Sequence, residues 1–121
     1  MFNGVTNTGT YDNRSILDRG HSPVVQTGMF AEAQGTLPKG LILAKNGDGV
    51  YVPYAPAASD GTQNPKAVLA EEIDTTVNTS ALVVRHGTVV EEMLLVGTSV
   101  STSSATEADI ALLSDITIYA V

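Results

Sequence analysis

Hydrophobic positions along this chain fall into short alternating runs, separated by clusters of Gly, Pro, Asn and Asp. That rhythm predicts strands and turns rather than long helices. In GLILAKNGDGVYVPY, residues 40–54, Leu41 and Leu43 share one face of a strand, and Val50 and Val52 share one face of the next. A two-residue loop at Asn46-Gly47 pairs Leu43 with Val50. A loop one register wider pairs Leu43 with Val52. Both registers keep Leu41, Leu43, Val50 and Val52 on a single face of a hairpin. Before it, PVVQTGMF holds a short strand-like run, and TLPKG is a turn in which Pro38 sets φ and Gly40 frees it. After it, residues 55–66 form a loop rich in Pro, Gly, Ser and Asn.

KAVLAEEID predicts a further strand, with Val68 and Ala70 opposed to Ala67 and Leu69. Its apolar start on both sides predicts a central position. ALVVRHGTVVEEMLL holds a strand from Ala81 to about Val90, with a bulge or tight turn at Gly87. GTSVSTSSAT reads as a small-polar loop of low complexity. Ser104-Ala105-Thr106-Glu107 fits a capping box and predicts a helix of two to three turns, with Ala108, Ala111 and Leu112 on one face. Ile116, Ile118 and Ala120 then alternate as a terminal strand. The expectation is a mainly β chain with a minor α part. It is a small β-sandwich or barrel-like domain of about six strands with one short C-terminal helix.

Residues 1–22 show no sustained period and are dominated by Asn, Thr, Gly and Asp. They read as an extended N-terminal arm ahead of a β-rich domain at 23–121, ordered only when something binds it. Composition alone equally admits a tail with no role. Apolar residues in or beside a polar arm are natural anchors, which singles out Ile16, Leu17, Val24 and Val25.

Composition narrows the function. Apolar residues make up 43 % and aromatics 5 %, so the core must be built from Val, Leu, Ile and Ala. A core so thin gains from oligomerisation. With only six Lys and Arg and a net charge of −7, the chain is unsuited to nucleic-acid phosphates. The absence of cysteine excludes disulfides and thiolate metal sites. Neither a signal peptide nor a membrane span is expected.

Candidate chemistry is sparse. Gly47-Asp48-Gly49 lacks both the glycine spacing and the helix of a phosphate loop, and Asp48 would repel a phosphate. Glu71-Glu72 and Glu91-Glu92, read on strands, point to opposite faces and form no acid/base pair. His21 and His86 have no carboxylate at ligand spacing, so no metal site follows, and His86 reads as a surface residue or an oligomer contact. There is no nucleophile elbow. Neither an enzyme nor a cofactor is expected. An assembly protein and a small β binding module both fit.

The order of segments is informative. AQGTLPKGLILAKNGDGVYVPYAPAASDGTQ is followed by AVLAEEIDTT, then ALVVRHGTVVEEML, then ATEADIALLSDITIYAV. From residue 28 to residue 121 this succession resembles the head decoration proteins of tailed phages, the lambda decoration protein D-like family. The arm does not visibly match. The resemblance implies a structural capsid protein that binds the exterior of the expanded head at local threefold positions. It implies a homotrimer whose partner is the major capsid protein, and which clamps the shell against packaged DNA. It also implies a virion protein on the outer capsid surface, made in the host cytoplasm, with the arm ordering on the shell. Net negative charge suits such an exterior face. The alternative is a carbohydrate-binding module of a tail or fibre, for which four Tyr and two Phe offer few stacking platforms.

Overall fold

The computed structural model describes residues 17–18 and 23–121. The elements in order are β1 (Leu17–Asp18), β2 (Val24–Met29), β3 (Thr36–Leu37), β4 (Ile42–Lys45), β5 (Tyr51–Pro53), β6 (Ala67–Leu69), β7 (Ile73–Asp74) and β8 (Ser80–Val89). A 3-10 helix (Glu91–Met93), β9 (Leu95–Gly97), β10 (Thr102–Ser104), α1 (Glu107–Ser114) and β11 (Ile118–Ala120) follow. The chain is mainly β with one α-helix, as its alternation predicts. The strands are shorter and more numerous than the expected six, because several are two or three residues long.

The main sheet has the order β1-β8-β6-β4-β5, and β2 and β11 also pair with β8. β6 is central, between β4 and β8, and all three of its residues are buried. The sheet is covered on both faces, so strict alternation sorts residues between two cores. Leu41, Leu43, Tyr51, Ala67, Leu69, Ala81 and Val83 join Phe30 and Leu37 in one cluster. Ile42, Ala44, Val68, Val84 and Val89 join Leu94, Leu113 and Ile118 in the other. The sheet curls until Phe30, one residue past β2, bridges Tyr51 in β5. That single bridge leaves the barrel unclosed. Gly28 makes the approach possible. A Cβ there would stand 2.5 Å from the Tyr51 ring.

The 40–54 hairpin forms in a different register from either expected one. Leu43 pairs with Pro53, Ala44 with Val52 and Lys45 with Tyr51. Tyr51, not Val50 or Val52, therefore shares the inner face with Leu41 and Leu43. The turn causes this. The Asn46 N–H donates to the Val50 carbonyl, and Asn46 Oδ1 accepts the N–H groups of Asp48 (2.9 Å) and Val50 (3.3 Å). The wider loop shifts parity by one and carries the large aromatic inward.

Three further readings are corrected. The Ser/Thr run is not simply a loop. β9 and β10 pair antiparallel, and the turn is closed by Thr98 N–H on the Ser101 carbonyl at 2.9 Å. The helix is capped two residues later than expected, by Thr106 with Asp109, because Ser104 is committed to β10. Its buried residues are Asp109 and Leu113, whereas Ala108, Ala111 and Leu112 are exposed. The acidic pairs do not lie on strands. Glu71-Glu72 sits between β6 and β7, and Glu91-Glu92 opens the 3-10 helix, with all four side chains exposed.

Candidate functional site

β8 organises the end of the molecule where the first described residues lie. Its first part pairs with β2, with Val24 opposite His86 and Val25 opposite Val84, and the register slips between them. Its last residues are flanked by β1, with Leu17 opposite Val89, and by β11, with Ala120 opposite Val89. Between the two parts lies Gly87, at φ +128°. A Cβ there would meet the Pro23 Cα at 2.9 Å, so glycine lets the strand pass this close to Pro23. The irregularity expected at Gly87 is present as a positive φ, and it lies where β8 passes from its pairing with β2 to its pairing with β1 and β11.

The same corner grips the turn into β11. Thr117, a β-branched residue at φ +67°, occupies a conformation that normally favours glycine. Two groups from β8 hold it. The Gly87 N–H donates to the Thr117 carbonyl at 3.1 Å, and His86 Nδ1 lies 2.7 Å from the Thr117 hydroxyl. The same hydroxyl also lies against the Ile116 carbonyl. His86 is thus engaged within its own chain.

Leu17, Val24 and Val25, which the sequence singles out, are strung along this one strand. Leu17 is tied by its backbone to Val89. Val24 and Val25 are 47 % and 37 % exposed. Ile16 and His21 lie outside the described residues. Residues 1–22, read as an arm, therefore include two that pair with the body of the domain.

The C-terminal layer is pinned by a buried polar group that the sequence reading missed. The Tyr54 hydroxyl, in the segment after β5, donates to Asp109 Oδ1 at 2.8 Å. Asp109 Oδ2 accepts the Thr106 N–H and hydroxyl, each at 2.9 Å. Burial pushes the Asp109 carboxyl up, but the bonds from the Thr106 backbone, Tyr54 and the Thr106 hydroxyl together outweigh it and hold the group below its ordinary value. The signal was available: Thr106-x-x-Asp109 fits the capping pattern as well as Ser104-x-x-Glu107 does.

Tyr54 is pushed up to about 12 from 10.0, first by burial, then by its bond to Asp109 and the charge there. An unfolded chain releases the Tyr54 proton near pH 10 while the folded chain keeps it. Stability should therefore fall by roughly 1.4 kcal/mol per pH unit between about 10 and about 12 from this group. Tyr54→Phe should lack that slope, which urea titrations of parent and variant between pH ~9 and ~11 measure.

Little else could carry chemistry. Among the described residues, no three His, Asp or Glu side chains stand together to hold a metal ion, and no helix is long and apolar enough to cross a membrane. A shallow hollow lies between Glu32-Ala33 and the loop Thr75–Thr79, and it is lined by no aromatic side chain. Glu71 uses its carboxylate on the Leu82 N–H at 2.9 Å.

What the described residues do offer around β8 is strand edges and scattered exposed apolar side chains. The family described as bacteriophage lambda head decoration protein D matches residues 16–118. No curated protein matches the chain. The match starts at Ile16, earlier than residue 28 where the resemblance is visible by eye, and takes in β1 and β2. The chain belongs to the bacteriophage lambda head decoration protein D family.

Proposed function

We propose that this decoration protein is a cement for the expanded phage head. It binds the capsid exterior at local threefold positions as a homotrimer and stabilises the shell against the pressure of packaged DNA. The observation that carries this reading is the family match across residues 16–118. The net charge of −7 is compatible with an outward face and opposes placement against DNA. Its partners are the major capsid protein and its own copies, and it acts without catalysis or cofactor. It is made in the host cytoplasm before it joins the virion.

The arm and its root make the capsid contact, with Ile16, Leu17, Val24 and Val25 as apolar anchors. Val24 and Val25 are exposed where the arm leaves the sheet, and an extended segment adds readily to a sheet edge on a partner. Three arms on one trimer bind far more tightly than one, because each further arm engages at a high effective concentration.

Two truncations test this. Deleting residues 1–16 keeps β1, whereas deleting 1–22 removes it. Both should leave a folded domain by circular dichroism and lose occupancy on expanded shells by a factor of roughly 100 or more, the scale of lost multivalency. Unchanged occupancy after the 1–22 deletion would overturn the role of the arm.

A further inference from the structure

We propose that Asn46 is a site of spontaneous covalent modification, at which the Gly47 amide nitrogen displaces the side-chain amide as ammonia. Glycine after Asn or Asp leaves the main-chain nitrogen unshielded, because it has no Cβ. Among the described residues such pairs are Asn46-Gly47, Asp48-Gly49 and Asp60-Gly61. Two conditions separate them: a nitrogen free to attack and a group able to leave. The Gly49 N–H donates to the Asn46 carbonyl at 3.0 Å, and the Gly61 N–H donates to Gln63 Oε1 at 2.8 Å. The Gly47 N–H donates to no group among the described residues. An ionised carboxylate is also a poor electrophile. The hydroxyl and backbone N–H of Thr62 hold the Asp60 carboxyl below its ordinary value and keep it in that form. Only Asn46-Gly47 meets both conditions.

The turn also prepares the attack. Asn46 Oδ1 accepts the Asp48 N–H at 2.9 Å and the Val50 N–H at 3.3 Å, so the side chain is folded across Gly47. The same two N–H groups sit on the oxygen that gains negative charge when Cγ becomes tetrahedral. That is the arrangement of an oxyanion hole. The ends of the turn are fixed by the Asn46 N–H on the Val50 carbonyl at 3.0 Å and by the pairing of Lys45 with Tyr51. Gly47 itself is exposed, and a Cβ there would meet nothing within 4 Å, so water and hydroxide reach its nitrogen.

The Gly47 nitrogen gives its proton to a solvent base and forms a bond to Asn46 Cγ. The Cγ–Nδ2 bond breaks, and Nδ2 takes a proton and leaves as ammonia. Water then opens the cyclic imide, and nothing is oxidised or reduced. Breaking the new Cγ–N bond gives an aspartyl residue. It keeps an oxygen where Oδ1 stood, so both hydrogen bonds survive, and it adds one negative charge to the chain's −7. Breaking the original peptide C–N bond gives an isoaspartyl residue. Its main chain carries one more carbon, which lengthens the loop that sets the parity of the hairpin.

The full chain is incubated folded at mildly alkaline pH. Peptide masses then resolve Asn46-Gly47 from Asn3-Gly4, the other Asn-Gly pair in the sequence. Asn64 and Asn78 precede Pro65, which has no N–H, and the β-branched Thr79. Asn46 should convert roughly tenfold or more faster than either, and at least as fast as in the same chain unfolded in urea. Gly47→Ala should slow the conversion by roughly tenfold with melting unchanged, since its Cβ enters open space. Asn46→Asp should melt with the parent, whereas the isoaspartyl form, separated by chromatography, should melt several degrees lower. Slower conversion at Asn46 in the folded chain than in urea would overturn the proposal, because the turn would then hold the side chain away from the nitrogen. Conversion of Gly47→Ala as fast as the parent would overturn it too, because water rather than the Gly47 nitrogen would then release the ammonia.

Discussion

Asp109→Ala should lose about 2–4 kcal/mol of stability, combining the loss of the carboxylate half of a helix capping box with a stranded buried hydroxyl. The carboxylate serves three donors from two segments, the Thr106 N–H and hydroxyl and the Tyr54 hydroxyl. Alanine removes the carboxylate half of the capping box, keeps the N–H that donates to the Thr106 hydroxyl, and leaves Tyr54, which is 2 % exposed, without its acceptor. Thermal melting should fall by on the order of 10 °C. The pH dependence separates this from a generic loss. The Asp109 carboxyl is held below its ordinary value in the fold, so its contribution is present above the unfolded value of ~3.9 and disappears as pH falls through the folded one. The gap between parent and variant should therefore close in acid. A gap that persists there would show that lost packing, and not the charged hydrogen bonds, carries the effect.

Leu43→Ala should cost about 2–5 kcal/mol, the range for truncating a fully buried leucine. Leu43 is 0 % exposed in β4, paired with Pro53 on β5 and Ala67 on β6, in the cluster that also holds Tyr51. Its neighbours are held by strand pairing on both sides of β4, so they cannot collapse into the space left behind. The cost should fall in the upper part of that range, read from the urea midpoint at unchanged m-value. A loss below ~1 kcal/mol would mean that the curled sheet repacks freely at this point.

Much of this architecture could be read from the residues. Val68 between Ala67 and Leu69 announces a strand buried on both faces, and β6 is that strand. Gly87 inside an apolar run announces a break, and β8 turns there. What could not be read was parity and choice among equals. The 46–50 turn is set by hydrogen bonds to one side chain, Asn46, and a single residue of loop length decides whether Tyr51 or Val52 faces inward. Two overlapping capping boxes compete before α1. Ser104 is taken by β10, and the box that forms is also bonded by Tyr54, 55 positions away in sequence from Asp109, which local pattern cannot see. The exposed apolar positions were half legible: Val24 and Val25 stand out as apolar residues near a polar segment, but Leu82 looks like any core strand residue until its 42 % exposure is known.

The central role of β8 also bears on how the chain folds. β1, β2, β6 and β11 all pair with it, and it enters the sequence only at residue 80. Before those ten residues are made, neither β2 nor β6 has its β8 partner; β6 then lies a short connection away, whereas β2 must find it across the interval that holds β3 to β7. The closure entropy of that interval falls due before the contacts form. Folding should therefore be slow for a domain of this size and should proceed with one main barrier, with β8 already paired when it is crossed. Substitutions along β8 should slow refolding, whereas those in the β9–β10 hairpin should chiefly speed unfolding.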